Sequence, residues 1–263
     1  MLKLLRADLL DQPGLVHAFT TRPGGVSEGP YASLNITRSR GDKPANVAEN
    51  RERLRQALGL DYLAFATQVH GRDVVRLDEA PRGDQPAGEA DALMTDRPGI
   101  GLVSQTADCT PILLFDPQNR AIAAIHSGWR GTVQNIIAAT LEAMRAAYAT
   151  QPGHILAAIG PAVSPENYRV GPEVVEQFAG FASESGVLSP LDAEGGAQLD
   201  VSRACELQLL AAGVPQAQIE RSPLCTYAQE ADLFSARRSH HRGESGVFGG
   251  QGGVIALSHA NSR

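Results

Sequence analysis

The stretch Ile100–Val133, IGLVSQTADCTPILLFDPQNRAIAAIHSGWRGTV, decides how this chain reads. It is the most hydrophobic part of the sequence. Three short apolar runs, Ile100–Ser104, Ile112–Phe115 and Ala121–Ile125, read as strands. Pro111 and the Asp116-Pro117 pair punctuate them. Gly131 or Thr132 then opens a helix to about Ala149, with Val133, Ile136, Ile137, Leu141 and Met144 on its apolar face.

Upstream, Leu15–Thr21 reads as a strand that ends in a Gly24-Gly25 turn. Asn46–Leu60 reads as a helix. Asn46 and Glu49 have capping-box spacing, Val47, Leu54 and Leu58 share a face, and Gly59 can close the C-terminus. Leu63–Val69 reads as a strand delivering His70 to a Gly71 turn, with Val74–Leu77 as its expected hairpin partner. Downstream, Ile155–Ile159 is a strand, and Pro172–Phe181 and Val201–Ala212 are helices, the second closed by Gly213. The Gly/Ser-rich span Ser183–Gln198 is the expected mobile excursion. Strands and helices alternate irregularly, so the expectation is one α+β domain with mixed sheets over residues 1–263.

Of the 263 residues, 43% are hydrophobic and 20% charged, which excludes disorder and coiled coil as descriptions. The net charge of −6 argues against a nucleic-acid or anionic-membrane partner. Every cation except Lys3 and Lys43 is an arginine. Genomic base composition explains that bias, and so does bidentate gripping of phosphate or carboxylate. Three cysteines without a CxxC pair offer no disulfide framework or zinc ribbon, and a reduced cytoplasmic compartment is expected. Charge arrives too early for a signal peptide, and no stretch is long and apolar enough for a membrane span.

Three chemically able residues end predicted strands: His70 in Gln68-Val69-His70-Gly71, Cys109 in Ala107-Asp108-Cys109, and His126 in His126-Ser127-Gly128-Trp129-Arg130-Gly131. Imidazole nitrogen and thiolate sulfur suit zinc, and three protein ligands leave a fourth position for water or substrate. The separations match no short metal motif. The same residues also read as a cysteine nucleophile with a histidine base, as a two-His, one-Cys copper site, or as a buried cysteine with two structural histidines. Copper fits less well, because only Met1, Met94 and Met144 are available as axial ligands and no His-x-His pair exists. Arg130 sits where a helix begins, a place that favours anions. Trp129 reads as a core anchor or a stacking platform. Arg51, Asn35 in Ser33-Leu34-Asn35, and the basic cluster Phe234–Arg238 with His240 and His241 are weaker candidates. Cys205 reads as core. No P-loop, GxGxxG or GxSxG is present.

Taken together, TTRPGGVSEGPYASLN (20–35), NVAENRERL (46–54), ATQVHG (66–71), ADALMTDRPG (90–99), ADCTPILLFD (107–116), AAIHSGWRGT (123–132), AIGPAVSPENYRVG (158–171) and LCTYAQEADLFSARR (224–238) closely resemble one family. It is the YfiH or laccase-domain family, also called multicopper-polyphenol-oxidase-type or peptidoglycan-editing-factor proteins. The resemblance implies a four-layer α/β/β/α sandwich with two mixed sheets. It implies a zinc site of His70, Cys109 and His126, and phosphorolysis of adenosine, inosine, guanosine and methylthioadenosine, with adenosine deamination. Within that reading Arg130 or Arg51 holds phosphate, Asp108 or His126 manages protons, and Asn35 and Gln68 contact ribose or base. A monomer or small homo-oligomer is expected. The family's other names imply two rivals, an amidase editing a UDP-muramyl amino acid and a copper-dependent polyphenol oxidase. A third rival is a metal-stabilised binding protein. Ser127 replaces the usual Ala, Ala236 the aromatic of a Phe-Ser-Tyr-Arg-Arg motif, and Arg169 a frequent acidic residue.

Overall fold

The structure is a computed structural model describing residues 2–80, 85–181, 185–244 and 246–259. In chain order its regular elements are β1 (Leu4–Leu5), β2 (Leu15–Thr20), α1 (Pro44–Ala57), β3 (Tyr62–Phe65), β4 (Val74–Arg76), β5 (Ala92–Thr95), β6 (Ile100–Thr106), β7 (Thr110–Asp116), β8 (Ala121–Ser127), α2 (Trp129–Val133), α3 (Ile136–Tyr148), β9 (Leu156–Ile159), β10 (Arg169–Val170), α4 (Pro172–Val175), β11 (Ala197–Gln198), α5 (Val201–Ala211), β12 (Ile219–Arg221), α6 (Ala236–His241) and β13 (Gln251–Leu257). They build a five-stranded sheet of order β1-β2-β13-β6-β3 and a six-stranded sheet of order β12-β9-β7-β8-β5-β4, with β10 and β11 as a separate ribbon. Both large sheets are mixed: β3/β6, β12/β9 and β4/β5 run parallel and the remaining pairs antiparallel.

Every residue of β7 and β8 is buried. A strand covered on both faces reads as a continuous apolar run, and that is how the central stretch reads. The period of two sorts side chains between cores. Ile112 and Leu114 of β7 face α3 and α5 with Ile136, Ile137, Met144 and Leu209, whereas Leu113 and Phe115 face the other sheet with Phe19, Leu102 and Ile255. On the far side, Val103 and Val254 meet Leu54 and Leu58 beside α1. The order is therefore helix α1, five-stranded sheet, six-stranded sheet, helices α2, α3 and α5. This α+β, four-layer arrangement is the one the resemblance implied.

Several local expectations are corrected. The strand predicted over Leu63–Val69 ends at Phe65, and Val74–Leu77 is not its hairpin partner. β3 belongs to the five-stranded sheet and β4 to the six-stranded one, so the intervening chain crosses between layers. The long helix begins at Trp129 and breaks at Asn135, whose left-handed backbone (φ +57°) starts α3 while its side chain accepts from the Ala138 N–H. Asn and Asp tolerate that conformation better than most residues. The Asn46–Glu49 capping box does not form, because Lys43 is the N-cap and Pro44 already opens α1. Pro111 lies inside β7 rather than ahead of it. Residues 183 and 184 of the expected excursion lie outside the described residues, but Ala197–Gln198 at its end is pinned as β11. Among the described residues no helix is long and apolar enough to cross a membrane.

Candidate active site

Cys109 stands in the turn between β6 and β7, His126 near the end of β8, and His70 in the chain that crosses from β3 to β4. The two layers bring them together. One potential ligand atom from each lies within 4.8 Å of the others. His70 Nε2 is 3.9 Å from Cys109 Sγ, and the two imidazole rings meet edge to face with centroids 4.8 Å apart. No other group of three His, Cys, Asp or Glu converges this way among the described residues.

Strained backbone positions hold two of the three. His70 itself has φ +60°, and Asp108, just before Cys109, has φ +96°. Asp108 secures its conformation through both carboxylate oxygens, which accept from Thr226 Oγ1 and the Arg237 N–H at 2.6 Å each. Its own carbonyl accepts from Val163 N–H at 3.0 Å. The chain therefore reaches Cys109 already tied to two distant segments.

The residue that sequence reasoning missed is Asp91. It is almost fully buried, and Oδ1 accepts from His126 Nδ1 at 2.7 Å. The same carboxylate accepts from the N–H groups of Val69 (3.2 Å), His70 (3.0 Å) and Gly71 (2.7 Å). One side chain thus orients His126 and shapes the turn carrying His70, the supporting arrangement metal-ligating histidines usually have. With Nδ1 engaged, Nε2 of His126 is the atom left to ligate. Burial pushes the Asp91 carboxyl up, but the His126 bond and the backbone N–H groups outweigh it and hold it below the usual carboxylate range. The available signal was an aspartate directly ahead of an apolar strand in ADALMT.

Electrostatics prepare the donors. Burial pushes the Cys109 thiol up, yet the neighbouring charge of His126 and hydrogen bonds from His126 and His70 bring it down to about 6. Burial lowers His126, but the Cys109 thiolate and the Asp91 bond raise it to about 9. The pairing of the two groups therefore favours a thiolate beside an imidazolium in the metal-free site. A soft sulfur with two imidazoles fits zinc and leaves a fourth position open. Metal uptake must displace the His126 proton, and below about pH 6 the thiolate is protonated as well. Metal affinity is therefore expected to fall as pH drops from 7 to 5, read by competition with a chromophoric chelator. An affinity independent of pH over that range would contradict this donor set.

Gly128 explains the first glycine of Gly128-Trp129-Arg130-Gly131. A β-carbon there would lie 3.0 Å from both Cys109 Sγ and His70 Cδ2. Gly128→Ala is expected to weaken metal binding by about tenfold, the scale on which neighbours of a metal site act. The chelator competition, with thermal unfolding as the control for folding, checks it.

The triad opens into a cavity of about 260 Å³, close to the lower bound of roughly 300 Å³ for small-molecule sites. Two of the candidate substrate residues line it. Arg51 rests on the Phe65 ring (3.6 Å to the centroid) and donates to the Ile36 carbonyl at 2.9 Å and Gln105 Oε1 at 3.3 Å. Gln68 clasps the Gln105 backbone through two 2.8 Å bonds. The other candidates lie elsewhere. Asn35 is buried and bonds Thr37, Asp42 and the Gly250 N–H, so it holds the cavity wall from behind. Asp108 is occupied as described above and is not part of the lining. Arg130 is exposed on α2 with its guanidinium over Trp129, itself half-buried against the outer core.

Three further wall residues, Arg38, Arg40 and Phe248, had drawn no attention in the sequence, nor had the adjoining glycines Gly249 and Gly250. The FSARR segment works structurally. Arg238 donates to the carbonyls of Thr226, Tyr227 and Leu233, and Ala236 opens α6 away from the lining. Arg169 pairs with Asp192 and Glu194 at the surface. Cys205 is core, its thiol pushed up to about 11 by burial.

The family model for multi-copper polyphenol oxidoreductase laccase matches residues 16–258. The chain belongs to this family. A purine nucleoside phosphorylase of Deinococcus radiodurans is 43% identical over 258 residues, covering 97% of this chain and 93% of that protein. The purine nucleoside phosphorylase YfiH of Escherichia coli is 35% identical over 250 residues, covering 94% and 98%. Among solved structures, YlmD of Geobacillus stearothermophilus superposes with a TM-score of 0.88 at 33% identity, covering 96% of this chain and 94% of that one. The laccase name and the phosphorylase names of relatives point to different chemistry, and the site itself must choose between them.

Proposed function

We propose that the protein is a zinc-dependent purine nucleoside phosphorylase whose single catalytic domain spans residues 1–263. The observation that carries the reading is the convergence of His70, Cys109 and His126 on one cavity. The phosphorylase activity for which its relatives are named supports it. At a three-ligand site, the chemistry zinc supplies is Lewis acidity toward an oxygen or water in the fourth position. Adenosine, inosine, guanosine and methylthioadenosine are the proposed substrates, with adenosine deamination as a second activity. A reduced cytoplasmic setting suits a site that needs Cys109 unoxidised, and the protein is expected as a monomer or small homo-oligomer.

In phosphorolysis a phosphate oxygen bonds to the anomeric carbon as the bond to the purine nitrogen breaks, and the base leaves with the electron pair. We assign Arg51 to phosphate, Gln68 to ribose or base, and Thr106 to a further substrate contact. Thr106 is buried, lines the cavity and has a hydroxyl without a hydrogen-bond partner. Asp91 fixes the tautomer of His126, and Asp108 and Asn35 hold the walls. In deamination a water oxygen bonds to C6 and ammonia leaves.

The two rivals that the family's other names imply fare differently. A multicopper oxidase needs several copper centres, and among the described residues only one such ligand group exists. An amidase on a UDP-muramyl amino acid would use the same triad. The test is base release from inosine as phosphate is varied. The rate is expected to rise and saturate with phosphate. Release independent of phosphate would make the protein a hydrolase, and no release from any purine nucleoside would sink the reading.

A further inference from the structure

His70 is the one member of the triad that no strand carries or adjoins, because it lies in the chain crossing from β3 to β4. Its turn is held from two sides. Asp91 takes the N–H groups, as described above. The carbonyl groups face α2. Gln134, at the end of α2, donates from Nε2 to the His70 carbonyl at 3.3 Å. A β-carbon on Gly131 would lie 3.1 Å from the Gly71 carbonyl oxygen, so the helix backbone rests directly on the turn. At its start α2 approaches the donors themselves, since a β-carbon on Gly128 would meet both Cys109 Sγ and His70 Cδ2 at 3.0 Å. A five-residue helix is too short to be stable alone. Its position must come from what pins it to the rest of the fold.

The pin is Thr132, which is fully buried. Its hydroxyl donates to the Gly128 carbonyl at 3.0 Å, beside the helical bond from its own N–H at 2.9 Å. With that proton committed, the Ser127 hydroxyl at 2.8 Å donates to Thr132 Oγ1, and Cys205 Sγ of α5 lies 3.8 Å from the same oxygen. Gln208, also on α5, donates from Nε2 to the Thr132 carbonyl at 2.7 Å. Threonine back-bonding to the carbonyl four residues earlier is a local motif, but here the same hydroxyl also joins the end of β8 to α5. We infer that Thr132, clamped by Gln208, is a positioning residue that holds α2 as a brace against the His70 turn and so sets the spacing of His70 and Cys109. Neither residue lines the cavity. The inference rests on the metal reading of the triad and is independent of which substrate the site takes.

Metal binding by the full-length protein tests it without requiring turnover. Zinc affinity is read by chelator competition, and the geometry of the site by the visible absorption of bound cobalt(II), which follows coordination geometry. Thr132→Val keeps the shape and removes the hydroxyl. It is expected to weaken zinc at least tenfold, the scale on which residues supporting metal ligands act, and to shift the cobalt bands. Thr132→Ser keeps the hydroxyl and should restore both. Gln208→Leu attacks the clamp from α5. It removes a side chain whose Oε1 is buried without a partner, so folding should survive, and it should move affinity and bands in the same direction. Thermal unfolding of the metal-free proteins checks the fold, and if Thr132→Val does not fold, Gln208→Leu carries the test. Turnover of inosine should lose kcat with little change in KM. Wild-type affinity and wild-type cobalt bands in either folded variant would overturn the brace. A wild-type protein that takes up neither metal would remove the metal reading, and the brace with it. Weakened metal in the variants of a protein that turns over no nucleoside would leave the brace standing and remove the phosphorylase reading.

Discussion

Cys109→Ala is expected to remove bound metal and turnover together. Sulfur is the softest of the three donors and the one that must carry negative charge, and the site already biases it toward thiolate at neutral pH. Its removal leaves two imidazoles, short of the three protein ligands that a catalytic zinc site uses. Metal content by mass spectrometry should fall from about one equivalent to near zero, and nucleoside turnover to background. The fold should survive, because Cys109 is only half-buried and the turn is held by Asp108 rather than by the thiol. Turnover lost with metal retained would mean that the sulfur acts as a nucleophile.

Asp91→Ala is the second large effect, and it acts at a distance from the substrate. The carboxylate accepts from His126 Nδ1 and from three backbone N–H groups around His70. Without it His126 loses the partner that fixes its tautomer, and the His70 turn loses its anchor. Metal affinity is expected to fall about 10–100-fold. Stability should drop as well, because each buried donor left without an acceptor costs about 1–3 kcal/mol. The two effects separate experimentally. Chelator competition reads the first and denaturant unfolding of the metal-free protein the second. In metal-free protein the pKa of His126 should also fall from about 9, since the Asp91 bond is one of the causes raising it. An NMR titration follows that change. Unaltered metal affinity in a folded Asp91→Ala protein would contradict the role assigned to this carboxylate.

How far the site was legible follows from what each residue does locally. His70, Cys109 and His126 were visible because each pairs a ligating side chain with the end of an apolar run, and the runs themselves were visible because β7 and β8 are buried on both faces. The passage from β3 to β4 was not legible. A short apolar stretch, a turn and a second stretch look like a hairpin, and nothing local says that the two strands enter different sheets. Asn135 broke a helix whose periodicity ran straight through it, by taking a left-handed backbone that asparagine permits but does not demand. Asp91 escaped because its meaning lies in N–H groups about twenty residues earlier. Arg38 and Arg40 escaped because an arginine in a polar loop reads as solvated until Phe248, more than two hundred residues on, is seen beneath one of them. Arg130 drew attention for the converse reason: its local setting at a helix start favours anions, and the fold turns it outward onto Trp129.

Phosphorus NMR of the zinc-loaded protein incubated with inosine and inorganic phosphate tests phosphorolysis itself. The phosphate signal is expected to decline while a ribose 1-phosphate signal grows in equal amount with hypoxanthine, and Cys109→Ala is expected to show neither change. Hypoxanthine formed with the phosphate signal intact, or no change at all in the wild-type sample, would contradict it.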